Sequence, residues 1–120
     1  MAIARILMAA GGLCGAAGVA LLAAAAHAGG DHTGTAASFL LMHAGVFLAL
    51  GLSRSRRPLR IAALVLLAGL ALFSGDLLMR DFAGTRLFPM AAPAGGTLMI
   101  LGWIAVAITG AFARGRPAGE

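Results

Sequence analysis

The chain has no lysine, a single cysteine and few charges of either sign, with charged side chains making up 11% of its 120 residues. Each shortage excludes something. A soluble globule carries roughly 25% charged and 45–50% apolar residues, whereas 61% of this chain is hydrophobic. A water-soluble domain is therefore excluded, and the composition is that of a membrane protein. Cys14 has no partner, so neither an intrachain disulfide nor a cysteine metal motif can form. Without lysine, the net charge of +5 rests on arginine alone. In a soluble domain that balance would suggest nucleic acid. Here the arginines flank apolar runs and act as topology signals, and no stacking aromatic sits beside a basic patch, so no nucleic-acid partner is expected. A phosphate-cradling glycine loop and a nucleophile elbow are also missing, which argues against an enzyme and against a bound cofactor.

What is present is apolar sequence in long runs. Crossing a bilayer takes about 20 mostly apolar residues of helix. Four stretches meet that length, at about 6–26, 36–52, 61–79 and 94–112. They far exceed the roughly 9–11 residues of a barrel strand, and in lipid the backbone must satisfy its own hydrogen bonds, so helices follow. The connections at Gly29–Thr35 and Ser53–Arg60 are short and force neighbours to pack antiparallel. The expected fold is all-α, an integral-membrane, four-transmembrane-helix up-down-up-down bundle forming a single domain over residues 1–120. The third connection, Arg80–Ala92, mixes Arg80, Asp81 and Arg86 with Phe82, Leu87, Phe88 and Met90, the pattern of a short amphipathic segment at headgroup level. Pro93 suits the first turn of the fourth helix, where its missing N–H costs nothing. The first span also resembles a secretory signal, with Ala26-His27-Ala28 as a cleavage site. Its apolar run exceeds the 7–15 residues of a signal core and is interrupted by Gly11, Gly12, Gly15 and Gly18, so it is expected to stay as a helix.

Arginine placement sets the orientation. Arg5, Arg54, Arg56, Arg57, Arg60, Arg114 and Arg116 fall on the side shared by both termini, against Arg80 and Arg86 on the other. The arginine-rich side is expected in the cytoplasm. Asp31, Asp76, Asp81, His27 and His32 then gather toward the outer face.

Helices in lipid associate through small residues and occasional polar contacts. Gly11, Gly15 and Gly18 share one face of the first helix, and Ala68, Ala71 and Gly75 make a similar stripe on the third. Both read as packing seams within the chain, the alternative being contact between copies. Polar residues inside the spans are candidates for function, and the topology collects His27, His43, Ser74 and Asp76 in the outer half. Asp76 is expected to pair with Arg80 at i, i+4, and His43 to hydrogen-bond a carbonyl or a serine. The competing reading of this His/Asp cluster is proton or metal handling, by zinc or copper, or axial ligation of haem. No ligand pair has the spacing of a known metal motif. Trp103, in the middle of the fourth span, reads as a packing residue rather than an interfacial anchor.

The motifs AAAAHAGG, MHAGVFLALGL, LFSGDLL and PAGGTLMILGW occur in that order. Together they resemble the domain-of-unknown-function 423 family of small membrane proteins, over about Gly11 to Ile108. The resemblance implies four helices in a bacterial inner membrane and points to His27, His43 with Ala44, Ser74 with Gly75, and Pro93, Gly95, Gly96, Gly102 and Trp103. Met42 stands where an aromatic is usual, and Asp76 where a serine is usual. The resemblance supplies no activity. The expected role is a non-enzymatic accessory or structural component of a membrane assembly, with lipid, other membrane proteins or further copies of the chain as partners. Transport through the outer-half cluster is the alternative.

Overall fold

The computed structural model describes residues 2–53 and 56–113. Within them lie four helices and no strand: α1 (Ala2–Ala28), α2 (Asp31–Leu52), α3 (Arg57–Ala83) and α4 (Ala91–Ala111). All four are long and apolar enough to cross a membrane. Alanine and leucine dominate them, residues that lose little side-chain freedom in a helix.

Each helix extends beyond its apolar run at one end or both. α2 begins at Asp31 rather than near 36, and α3 extends over Arg57–Ala83 instead of 61–79. α1 likewise fills Ala2–Ala28. Hydropathy measures the stretch that suits lipid, whereas a helix continues until its terminal backbone groups find other partners. Only Gly29 and Gly30 join α1 to α2, with φ of +81° and +113°, values that an L side chain rarely adopts. α3 stops at Gly84, a left-handed C-terminal residue with φ 69°. The connection from 84 to 90 is irregular rather than helical, and Met90 at φ 69° opens α4. Pro93 sits in the first turn of α4.

Neighbours run antiparallel, and glycine sets how close they come. A Cβ built on Gly11 would lie 2.9 Å from the Ala44 carbonyl, and one on Gly18 would lie 2.6 Å from Leu41 Cγ. Gly51 of α2 faces Ala4 and Met8 in return, and Gly15 is less crowded, 3.9 Å from Ala44. The α3–α4 seam is tighter still. A Cβ on Gly69 would lie 2.7 Å from the Gly95 carbonyl, one on Gly95 2.5 Å from the Phe73 nitrogen, and one on Gly102 2.8 Å from Leu66.

Two expected packing positions are corrected. The stripe of Ala68, Ala71 and Gly75 is not the seam of α3: both alanines are exposed, and Gly75 meets only Leu87 of the connection, at 3.9 Å. Gly96 likewise faces open space. Spacing puts small residues on a common face, but in a chain this rich in alanine and glycine it does not say which face meets a neighbour.

Between the hairpins, α2 packs on α3, with Phe39 and Phe73 at a ring separation of 4.7 Å. Leu7, Cys14, Phe47, Leu66, Leu70 and Met99 belong to the buried core. Among the described residues, α4 brings no Cα within 8 Å of α1 or α2. Leu13, Val19 and Leu22 on α1 and Ile100, Leu101, Ile104 and Ile108 on α4 are exposed, as expected of surfaces that lie against lipid. Of the arginines counted toward orientation, Arg54, Arg114 and Arg116 lie outside the described residues.

Candidate functional site

α2 and α4 are parallel, and His43 and Trp103 each lie twelve positions after the first residue of their helix. At 1.5 Å per residue that is about 18 Å along each axis, so the two side chains meet near mid-membrane. Trp103 Nε1–H donates to His43 Nε2 at 3.2 Å, and His43 Nδ1–H donates to the Phe39 carbonyl at 2.8 Å. This network assigns the proton to Nδ1 and leaves no ring lone pair for a metal or haem iron. Phe39, Phe47 and Trp103 have ring centroids within 6.3 Å of the buried imidazole.

Asp76 is fully buried near the end of α3. Arg80 Nη2 donates to its Oδ2 at 2.7 Å and the Leu87 backbone N–H to its Oδ1 at 2.8 Å. The i, i+4 pairing therefore exists. Its carboxylate also fastens the irregular 84–90 connection back onto the helix.

A third polar group joins Asp81 and His32, both expected toward the outer face, through bonds to the start of α2 that the sequence reading did not foresee. Asp81 Oδ2 accepts from both the backbone N–H and the hydroxyl of Thr33, each at 2.7 Å, and His32 Nδ1 lies 2.9 Å from Asp81 Oδ1. The first N–H groups of a helix have no intrahelical acceptor, and the N-terminal residue Gly30 offers no side-chain cap. Asp81 supplies that acceptor from the end of α3, and its charge complements the positive end of the α2 dipole. A Cβ on Gly30 would lie 2.9 Å from Asp81 Oδ2, so this close approach needs glycine there. The uncapped start of α2, near a free aspartate at the same end of the bundle, was the available signal.

The four candidate residues do not form one site, which corrects the outer-half cluster. His27 is exposed on the last turn of α1. Ser74 is buried with its Oγ unpartnered, while His43 and Asp76 are engaged as described. No hydrogen bond or ion pair among the described residues joins any two of the four. Nor do the described residues gather three or more His, Cys, Asp or Glu side chains that could hold a metal ion. The bond between His43 and Trp103 pairs two positions that the sequence names separately. Their matching distance from the helix starts emerges only with α2 beginning at Asp31 and α4 at Ala91, because the apolar runs alone do not give those starts.

Four apolar helices with polar side chains turned inward define an all-α, multi-pass membrane protein. The family model described as "Protein of unknown function (DUF423)" matches residues 14–96, and the chain belongs to that family. No solved structure matches it.

Proposed function

We propose that the chain is a non-enzymatic accessory or structural subunit of a membrane assembly, lying in a bacterial inner membrane with both termini in the cytoplasm. The observation that carries this reading is the use of three polar side chains, His43 and Asp76 inside the bundle and Asp81 at its exposed end. His43 ties α2 to α4, Asp76 ties the 84–90 connection to α3, and Asp81 ties α3 to the start of α2. A transport path needs polar groups that can exchange partners with a passing ion, and these are engaged in holding the bundle together. Lipid-facing chemistry supports the same reading. α4 turns bulky Ile100, Ile104 and Ile108 outward, whereas α1 exposes Gly12, Ala16, Ala20 and Ala24 at four-residue spacing. Such small-residue ridges allow close helix approach in lipid. For the orientation, Arg5, Arg56, Arg57 and Arg60 lie at the end of the bundle where α1 begins and α4 ends, against Arg80, paired with Asp76, and Arg86 at the other end.

Extraction in mild detergent followed by native mass spectrometry is expected to recover the chain with a second membrane polypeptide, and Ala16→Leu is expected to release that polypeptide without lowering thermal stability. Recovery of the chain alone, or only with copies of itself, across several mild detergents would overturn the proposal.

A further inference from the structure

Two connections lie at the end of the bundle where α1 and α3 finish, and they differ in chemistry. The α1–α2 connection exposes His27, Gly29, Gly30, Asp31 and His32, none of them a large apolar side chain. The α3–α4 connection exposes Phe82 at 70%, Leu87 at 44%, Phe88 at 43% and Met90 at 63%, with Arg86 among them. Helix geometry fixes its depth. The apolar run of α3 ends at Met79, and the helix continues only through Ala83. Four residues of helix rise about 6 Å, and the headgroup region adds roughly 5–8 Å on each side of the hydrocarbon core. The chain then turns at Gly84 and re-enters the membrane with α4 at Ala91. The connection is therefore held within the headgroup layer, where exposed rings and aliphatic chains lie against lipid. The bond from the Leu87 N–H to Asp76 pins it there, so lipid meets a preformed surface and little ordering entropy is lost on contact.

Charge then selects among lipids. Arg80 is paired with Asp76, and Asp81 is engaged by Thr33 and His32. Arg86 is exposed, and its side chain makes no hydrogen bond or ion pair among the described residues. A guanidinium at headgroup depth meets phosphate oxygens, which match its fork of donors. In a zwitterionic lipid the head-group ammonium offsets that attraction, whereas an anionic head group leaves the phosphate charge uncompensated.

We propose that the segment 82–90 is a binding site for an anionic phospholipid, with Arg86 on the lipid phosphate and Phe82, Leu87, Phe88 and Met90 seated among the upper acyl carbons. The proposal rests on the membrane-spanning fold and is independent of the assembly role. Trp103 is the only tryptophan in the chain, so Phe88→Trp in Trp103→Phe protein carries a single indole within the segment, and each change keeps an aromatic ring. In mixed vesicles this indole is expected to be quenched more by a nitroxide near the lipid head group than by one at the chain end, and little by aqueous iodide. With phosphatidylglycerol and phosphatidylcholine bearing the same head-proximal nitroxide, the anionic lipid should associate about fivefold more tightly, the effect of one arginine near an anionic surface. Such quenching is short-ranged, so the arginines at the far end of the bundle do not contribute. Arg86→Gln should fold normally, because this side chain bonds nothing within the described residues, and should abolish the preference. Three results would each overturn the proposal: quenching by iodide without quenching by lipid, equal association of the two labelled lipids, or an unchanged preference in folded Arg86→Gln protein.

Discussion

The two hairpins and the join between them hold together by different means. Within α1–α2 and within α3–α4, glycine lets one backbone approach another, as where Gly95 lies against the Phe73 nitrogen. Across the centre, α2 meets α3 through large rings and through a carboxylate, with Phe39 against Phe73 and Thr33 bonded to Asp81. The Thr33–Asp81 bond lies at the ends of α2 and α3 remote from the short connection between them. Apolar burial does not drive helices together in lipid. Where glycine lets two backbones touch, shape alone can fix the seam, whereas helices held apart by large rings gain their register from directional bonds.

The hairpin half of this comparison is the more fragile to substitution. Gly95→Val would place a Cβ 2.5 Å from the Phe73 nitrogen and 2.7 Å from the Gly69 carbonyl, and backbone atoms cannot swing away as a side chain can. Overpacking of this kind costs about 1–3 kcal/mol and more where the backbone must move. Gly95→Val is expected to lower the thermal midpoint in detergent strongly or to prevent recovery of folded protein. Gly96→Val, one position along and in open space, is expected to leave the midpoint nearly unchanged. Equal behaviour of the two variants would show that backbone proximity does not govern this seam.

The central join is expected to fail locally rather than globally. Asp81→Ala removes the acceptor shared by the Thr33 amide and hydroxyl, while Phe39 and Phe73 still hold α2 to α3. Hydrogen exchange at the Thr33 amide should accelerate about tenfold, as for one lost hydrogen bond. Amides in the middle of α2 should keep their protection. Uniform acceleration along α2 would mean that Asp81 holds the whole interface and not just its end.

These contrasts also separate what the sequence makes legible from what it does not. The four spans and their antiparallel order were readable because lipid demands long apolar helices and short loops demand adjacency. The Asp76–Arg80 pair was readable from i, i+4 spacing alone. Gly69 went unnamed and Gly96 was named as a packing position although it faces open space, because periodicity identifies a face but not its partner. Asp81 was placed in a loop because hydropathy ended the helix early, so its bond to the start of α2 went unread. His27, His43, Ser74 and Asp76 looked like one cluster because topology assigns depth along the membrane but says nothing about angle around the bundle. His43 turned toward Trp103 and Asp76 toward Leu87.

The smallest effect expected concerns the contact between α2 and α4, where neither glycine proximity nor a carboxylate is involved. Trp103→Phe keeps an aromatic ring against His43 and removes the indole N–H that bridges the helices. His43 retains its bond to the Phe39 carbonyl, so only Nε2 loses its partner. Interhelical hydrogen bonds measured within membranes average about 0.6 kcal/mol, and a loss of that order should appear in denaturant unfolding in mixed micelles. The His43 Nε2 resonance should move at the same time toward the position of an imidazole nitrogen with no donor. A loss as large as that of Gly95→Val would make the α2–α4 bridge a principal support of the bundle, placing a single polar pair on a level with the glycine seams.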